Sequence, residues 1–242
     1  MTNSALDLFI AELGKALLLN DPAFETIAER GSVSLQKDDL IYLRVKLHYP
    51  PSIAPEINES ELRLGEWLAI CQHAIFELIY RIGIDSVEMV RSIAFGEYDW
   101  IQANALEVLC RFCVDGMLSI SIISEIDLRL PKMRNETVLY FAQALANRRE
   151  RDERFDGVIK QIKNTDFRLA LAELGFNEPM SREELIELGK RIVTANEDEE
   201  EIKKLMELFD RNISLPNGSD LFFAPSAEGL TIEEIIDKCL NK

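Results

Sequence analysis

Positive charge and histidine are what this sequence has least of. Its 242 residues hold 27 Lys plus Arg against 43 Asp plus Glu, a formal charge of −16, and its pI is near 4.6. A field of that sign repels a phosphate backbone or an anionic leaflet, so direct nucleic-acid binding and membrane-surface binding are poor expectations. Only His48 and His73 supply imidazoles, and neither sits in a metal or nucleophile motif. His73, near Trp67 and Phe76 in an apolar helical pattern, reads as a core or groove histidine. There is no Gly-rich phosphate cradle. Carboxylates are so abundant that no acid–base pair stands out, and no catalytic residue, metal ligand or cofactor is expected.

Cysteine is scarce too, with Cys71, Cys110, Cys113 and Cys239 inside apolar helical patterns. That fits reduced, packed thiols better than a disulfide framework. Cys110 and Cys113 are spaced as C-x-x-C, but without a second pair or nearby histidines they read as packing residues. Apolar runs are broken by charges well short of the ~20 residues that span a bilayer. The N-terminus lacks a basic leader followed by an apolar run and a cleavage site, so the expected location is the cytoplasm.

What the sequence has in quantity is helical periodicity, with 47% hydrophobic residues to fill a core. Only residues 32–48 depart from it, alternating loosely at Ile41, Leu43, Val45 and Leu47 before Pro50-Pro51. A hairpin there and a helix over 37–46 fit nearly equally. Further on the pattern predicts helices over 61–82, 86–95, 100–114, 119–128, 135–147 and 155–162, separated by turn signals such as Gly83, Gly96, Gly116 and Pro131. Residues 100–112, from Trp100-Ile101-Gln102-Ala103 to Phe112, resemble the first helix of a HEAT-like repeat. A short HEAT-like stack and an irregular bundle both remain open. The charged run 147–154 reads as a linker or a solvated helix end. The expected domains are a helical body over 1–165, a linker over 166–177 and a small domain over 178–242.

That last part is where the acids concentrate, with 16 acids against 8 bases in residues 176–242. Ser181-Arg182-Glu183-Glu184 is a capping box, followed by Leu185, Leu188 and Ile192 on one face. Acids at 197–201 open a second helix, where the macrodipole favours them, and Ile202, Leu205, Met206 and Phe209 follow at helical spacing. After the turn Leu215-Pro216-Asn217-Gly218-Ser219-Asp220 there is room for about one helical turn before Pro225. Thr231-Ile232-Glu233-Glu234 caps a last helix with Ile232, Ile235, Ile236 and Cys239 inward.

Two helices, an acidic start to the second, the stretch from Pro216 to Pro225 and a final short helix resemble the immunity proteins of colicin E-type and S-type pyocin nucleases. Those proteins share Pro-x-Gly-Ser-Asp-Leu followed by apolar or aromatic residues and a proline. The resemblance implies an all-α protein with a colicin-immunity-like four-helix bundle at its end. It implies an inhibitor rather than an enzyme, binding the nuclease domain of its cognate bacteriocin beside the active site. An acidic surface is the electrostatic complement of a basic nuclease.

Carried over by position, the toxin-binding residues are Glu199, Ile202, Lys203, Met206 and Asp210 on the second helix. On the short third helix they are Asn217, Ser219, Asp220, Phe223, Ala224 and Pro225. The family usually has two aromatics where this chain has Phe223 and Ala224, so one large anchor is missing. Each residue also has a plainer reading: Ile202 and Met206 as core, Asp220 as a helix cap, the acids at 197–201 as a solvated helix start. The rival function is a HEAT-like adaptor with a divergent immunity-like tail.

Overall fold

The computed structural model describes residues 3–53, 56–57, 62–177, 179–194 and 199–240. Among these residues every regular element is a helix, as the periodicity predicts. The chain divides into two compact units, 1–129 and 130–242.

In the first unit α1 (Asn3–Leu18), α2 (Phe24–Ser32), α3 (Asp39–Lys46) and α6 (Gln102–Val114) all pack on α4 (Glu66–Ile82), and α5 (Val87–Ala94) and α7 (Ser121–Arg129) pack on α6. One hub helix touched by four others differs from a solenoid, in which each repeat touches its neighbours in series. The irregular alternative therefore describes this body. The ambiguous segment at 32–48 holds a helix, α3, rather than a hairpin, because Leu40, Leu43 and Leu47 recur at i, i+3 and i+7 and are all buried. Ile41 and Val45 of α3 face water instead.

By length and composition, 66–94 is apolar enough to cross a membrane, although charges interrupt it. Gly83, at φ 77°, ends α4 there, and α4 buries Cys71, Ile75, Leu78 and Ile79 in the core of its unit. Trp67 and Gln72 anchor the preceding segment by donating to the carbonyls of Pro51 (2.9 Å) and Leu47 (2.8 Å). His73 lies on the exposed side of α4, not in the core or groove expected of it. It lies at the water-facing edge of the apolar stripe, one turn from the buried Phe76.

The second unit begins with a short 3-10 turn (Leu130–Lys132) and α8 (Asn135–Arg149). The charged run that follows α8 caps rather than links: Arg149 bonds Asp156, and Asp152 accepts from the Arg154 N–H at 3.0 Å. α9 (Asp156–Ile159) and α10 (Thr165–Glu173) come next. α10 occupies most of the stretch that the punctuation marks as a linker. Its Asn164 cap accepts from the Phe167 N–H at 2.9 Å, and Phe167, Leu171 and Ala172 are buried. A polar cap followed by inward residues of this spacing is a packed helix, and the contact boundary falls at 129/130 instead.

The terminal segment holds α11 (Arg182–Thr194), α12 (Glu199–Asp210), a 3-10 turn (Gly218–Phe222), a shorter one (Pro225–Ala227) and α13 (Ile232–Leu240), with the helices in the order read from the sequence. Both capping boxes form reciprocally. The Ser181 N–H donates to Glu184 Oε2 at 2.7 Å while the Glu184 N–H donates to Ser181 Oγ at 3.3 Å. Thr231 and Glu234 repeat the pattern at 2.7 and 3.2 Å. Leu185, Leu188, Ile192, Leu205, Leu208, Phe209, Ile235, Ile236 and Cys239 form one core, which also takes in Ala172 of α10.

Candidate functional site: an acidic groove along α12

Three glutamates, Glu199, Glu200 and Glu201, stand in the first turn of α12, where the partial positive charge of the helix start stabilises them. Glu197 and the rest of the acidic lead-in at 195–198 lie outside the described residues. α12 turns Leu205, Leu208 and Phe209 inward, so Ile202 and Met206 fall one step round the helix and stay half-buried. Lys203 and Glu207 are exposed beside them.

The turn that follows explains its own sequence. Asn217 takes the left-handed conformation at φ 54°, which asparagine tolerates better than most residues. A Cβ on Gly218 would lie 2.4 Å from Ile213 Cδ1 and 2.8 Å from Cys239 Sγ, so the turn presses against α13 only because that residue has none. Ser219 is 1% exposed. Its N–H and Oγ donate to the two carboxylate oxygens of Asp210, at 2.9 and 2.8 Å. Asp210, on the last turn of α12, thus does the capping that the sequence suggests for Asp220. Asp220 itself is exposed.

The result is a shallow groove of about 320 Å³ lined by Glu199, Ile202, Lys203, Met206, Glu207, Asp210, Asn217, Ser219 and Asp220. Four carboxylates and one ammonium surround a floor that includes Ile202 and Met206, a strongly anionic surface with apolar contact area. Eight of the eleven residues expected from the resemblance line it, together with Glu207. Glu207 was missed because position matching offered no residue there, although its place four residues from Lys203 puts it on the same face.

Phe223, Ala224 and Pro225 lie beyond that lining. Phe223 is 59% exposed, and Pro225 opens a second short 3-10 turn, Pro225–Ala227. Phe222 packs inward, its ring 5.0 Å from that of Phe209 in a T-shaped arrangement and against Gly189 of α11. It therefore does not replace the anchor absent at Ala224. Of the residues thought of for other chemistry, Cys110 is buried and Cys113 half-buried. Among the described residues no group of His, Cys, Asp and Glu is arranged to hold a metal.

The acidic groove is thus built on one helix and a Pro-Asn-Gly-Ser-Asp turn within a small helical domain. Residues 178–241 match the family of colicin immunity and pyocin immunity proteins, and through this domain the chain belongs to it. It is also similar to "Uncharacterized protein YezA" of Bacillus subtilis (strain 168), with 33% identity over 64 residues that make up 26% of this chain and 93% of the other. No solved structure matches the chain. The family implies a role in bacteriocin immunity and a bacteriocin toxin as the partner.

Proposed function

We propose that the chain is a non-enzymatic cytoplasmic immunity protein that neutralises the nuclease domain of a cognate colicin- or pyocin-type toxin. The groove along α12 covers the basic surface beside the toxin's active site. The observation that carries this reading is the convergence of residues from α12 and the Pro216–Pro225 turn on one anionic groove with an apolar floor.

A nuclease must be cationic to hold phosphates, so this groove attracts it through space and then excludes nucleic acid by occupying the same ground. Ile202 and Met206 supply desolvated contact at the centre, and Phe223 projects an aromatic ring at the margin, the kinds of residue that dominate binding energy. No cofactor or metal takes part.

The test mixes the purified full chain with the toxin nuclease domain encoded beside its gene and measures affinity and residual nucleic-acid cleavage. Nanomolar binding with loss of cleavage is expected. Binding no tighter than micromolar, with full cleavage retained, overturns the proposal.

A further inference from the structure

A second groove runs along the other side of α12, where α8 and α10 meet it. Its volume is about 310 Å³, close to that of the groove already described. Val138 and Leu139 of α8 and Leu169 and Ala170 of α10 give it an apolar lining. Leu139 is 48% exposed, so that lining is open to a partner. Asp166, Glu173, Glu200 and Glu201 stand around it with Lys204. At ~100° per residue, Glu200, Glu201 and Lys204 lie roughly 140° round α12 from the set that faces the first groove. Between the two grooves runs the outward crest of the helix, where Glu200, Lys203 and Glu207 are exposed.

Charge limits what fills this groove. Arg191 holds Asp166 and Glu201, and Lys204 holds Glu173. Four carboxylates against these two cations still leave two negative charges. A second copy of a chain at −16, a nucleic acid or an anionic leaflet is therefore repelled. A lysine or arginine side chain fits, with its aliphatic stem on Leu139 and Leu169 and its charge at the rim.

Size indicates which cationic body supplies it. A stable protein–protein interface engages roughly 20–30 residues a side. The first groove has nine lining residues and the second ten, with none in common. Either alone falls well short of that range, and the two together come close to it. A helix is only about 10–12 Å across, so a domain seated on one side of α12 reaches the other. Building on the function proposed above, we propose that the toxin's basic nuclease domain straddles α12 and places a lysine- or arginine-bearing segment in the groove between α8, α10 and α12. Those contacts on α8 and α10 lie outside residues 178–241, the part that matches the immunity family. Specificity in this chain thus draws on helices beyond the family's own domain.

The test measures association and dissociation rates of the full chain with the toxin nuclease domain encoded beside its gene. Leu139→Arg fills the groove with a side chain of the partner's own charge. Tyr140→Arg adds the same charge one residue away, at a position that is 61% exposed and outside the lining. Both should slow association at low salt by a similar factor of about two to three. Only Leu139→Arg should speed dissociation, by at least about tenfold, and Leu139→Ser, which removes apolar contact alone, should speed it about threefold. Neither side chain is buried, so the helical circular dichroism and melting of all three variants should match the parent. Tight binding by the parent, with dissociation of Leu139→Arg no faster than that of Tyr140→Arg, overturns the second contact and leaves the proposed function standing. Absence of binding by the parent overturns the function and the second contact with it.

Discussion

Asp210 illustrates how one side chain can serve both a site and the scaffold beneath it. Its carboxylate lines the groove and also accepts two hydrogen bonds from the nearly buried Ser219. Asp210→Ala leaves those two donors without their acceptor, at a cost of about 1–3 kcal/mol, which thermal or urea unfolding will register. Gly218→Ala forces a methyl against Ile213 and Cys239 and should cost a similar ~1–3 kcal/mol as overpacking. Glu207 is exposed and pairs peripherally with Arg211 at 3.9 Å, so Glu207→Lys should leave stability nearly intact. It reverses one charge of the groove, and association with a basic nuclease should slow about tenfold at low salt and less at high salt, as stopped-flow would show. The residue types of this site were legible in the sequence. The pairing of Asp210 with Ser219 was not, because nine positions separate them and only the fold of the turn brings them together.

Among elements, the helices with a clear cap and stripe were the most legible. α11 and α13 begin at their capping boxes, and Thr231→Ala should cost about 1 kcal/mol of the second unit's stability, read as a fall in its melting temperature. α3 was ambiguous because Ile41 and Val45 alternate with Leu43 and Leu47 as a strand would, and only burial separates the two sets. α10 was hidden by its flanking turn residues, Asn164 and Gly175, which suggested an interruption on both sides of a real helix.

α4 carries a prediction of its own. Burial pushes the Cys71 thiol up to about 12, and burial together with a hydrogen bond to Asp115 raises the Tyr80 phenol to about 12. The folded state keeps protons that the unfolded chain gives up from pH 9.0 and 10.0, so stability must fall as pH rises through that window towards 12. Urea midpoints at successive alkaline pH values should decline, and Cys71→Ala should shallow the decline.

At the scale of the whole molecule, the two units are compact in themselves, and the immunity domain is not the whole of the second. Ala172 lies in its core with Leu169 packed against it. Arg191 joins Asp166 at 2.5 Å and Glu201 at 2.6 Å, and Lys204 reaches Glu173 at 3.1 Å. A fragment of residues 178–242 should therefore melt lower than one of residues 130–242, by roughly 5 °C or more, because it exposes the apolar surface α10 covers. Equal melting temperatures would show that α10 adds nothing to the domain.

The sequence by itself determined that the chain is helical, where its carboxy-terminal helices start, and that its acids crowd into the segment carrying the immunity-family turn. These follow from periodicity, capping chemistry and composition, all of which act over a few residues. Only the tertiary structure decided that the unit boundary falls before α8, that α4 is a hub rather than one repeat in a series, and that Asp210 rather than Asp220 secures the turn. It alone also set which apolar side of α3 is left in water. Those outcomes depend on which buried surfaces meet across the chain, and hydrophobic burial, being non-directional, writes no local signal of its partner into the sequence.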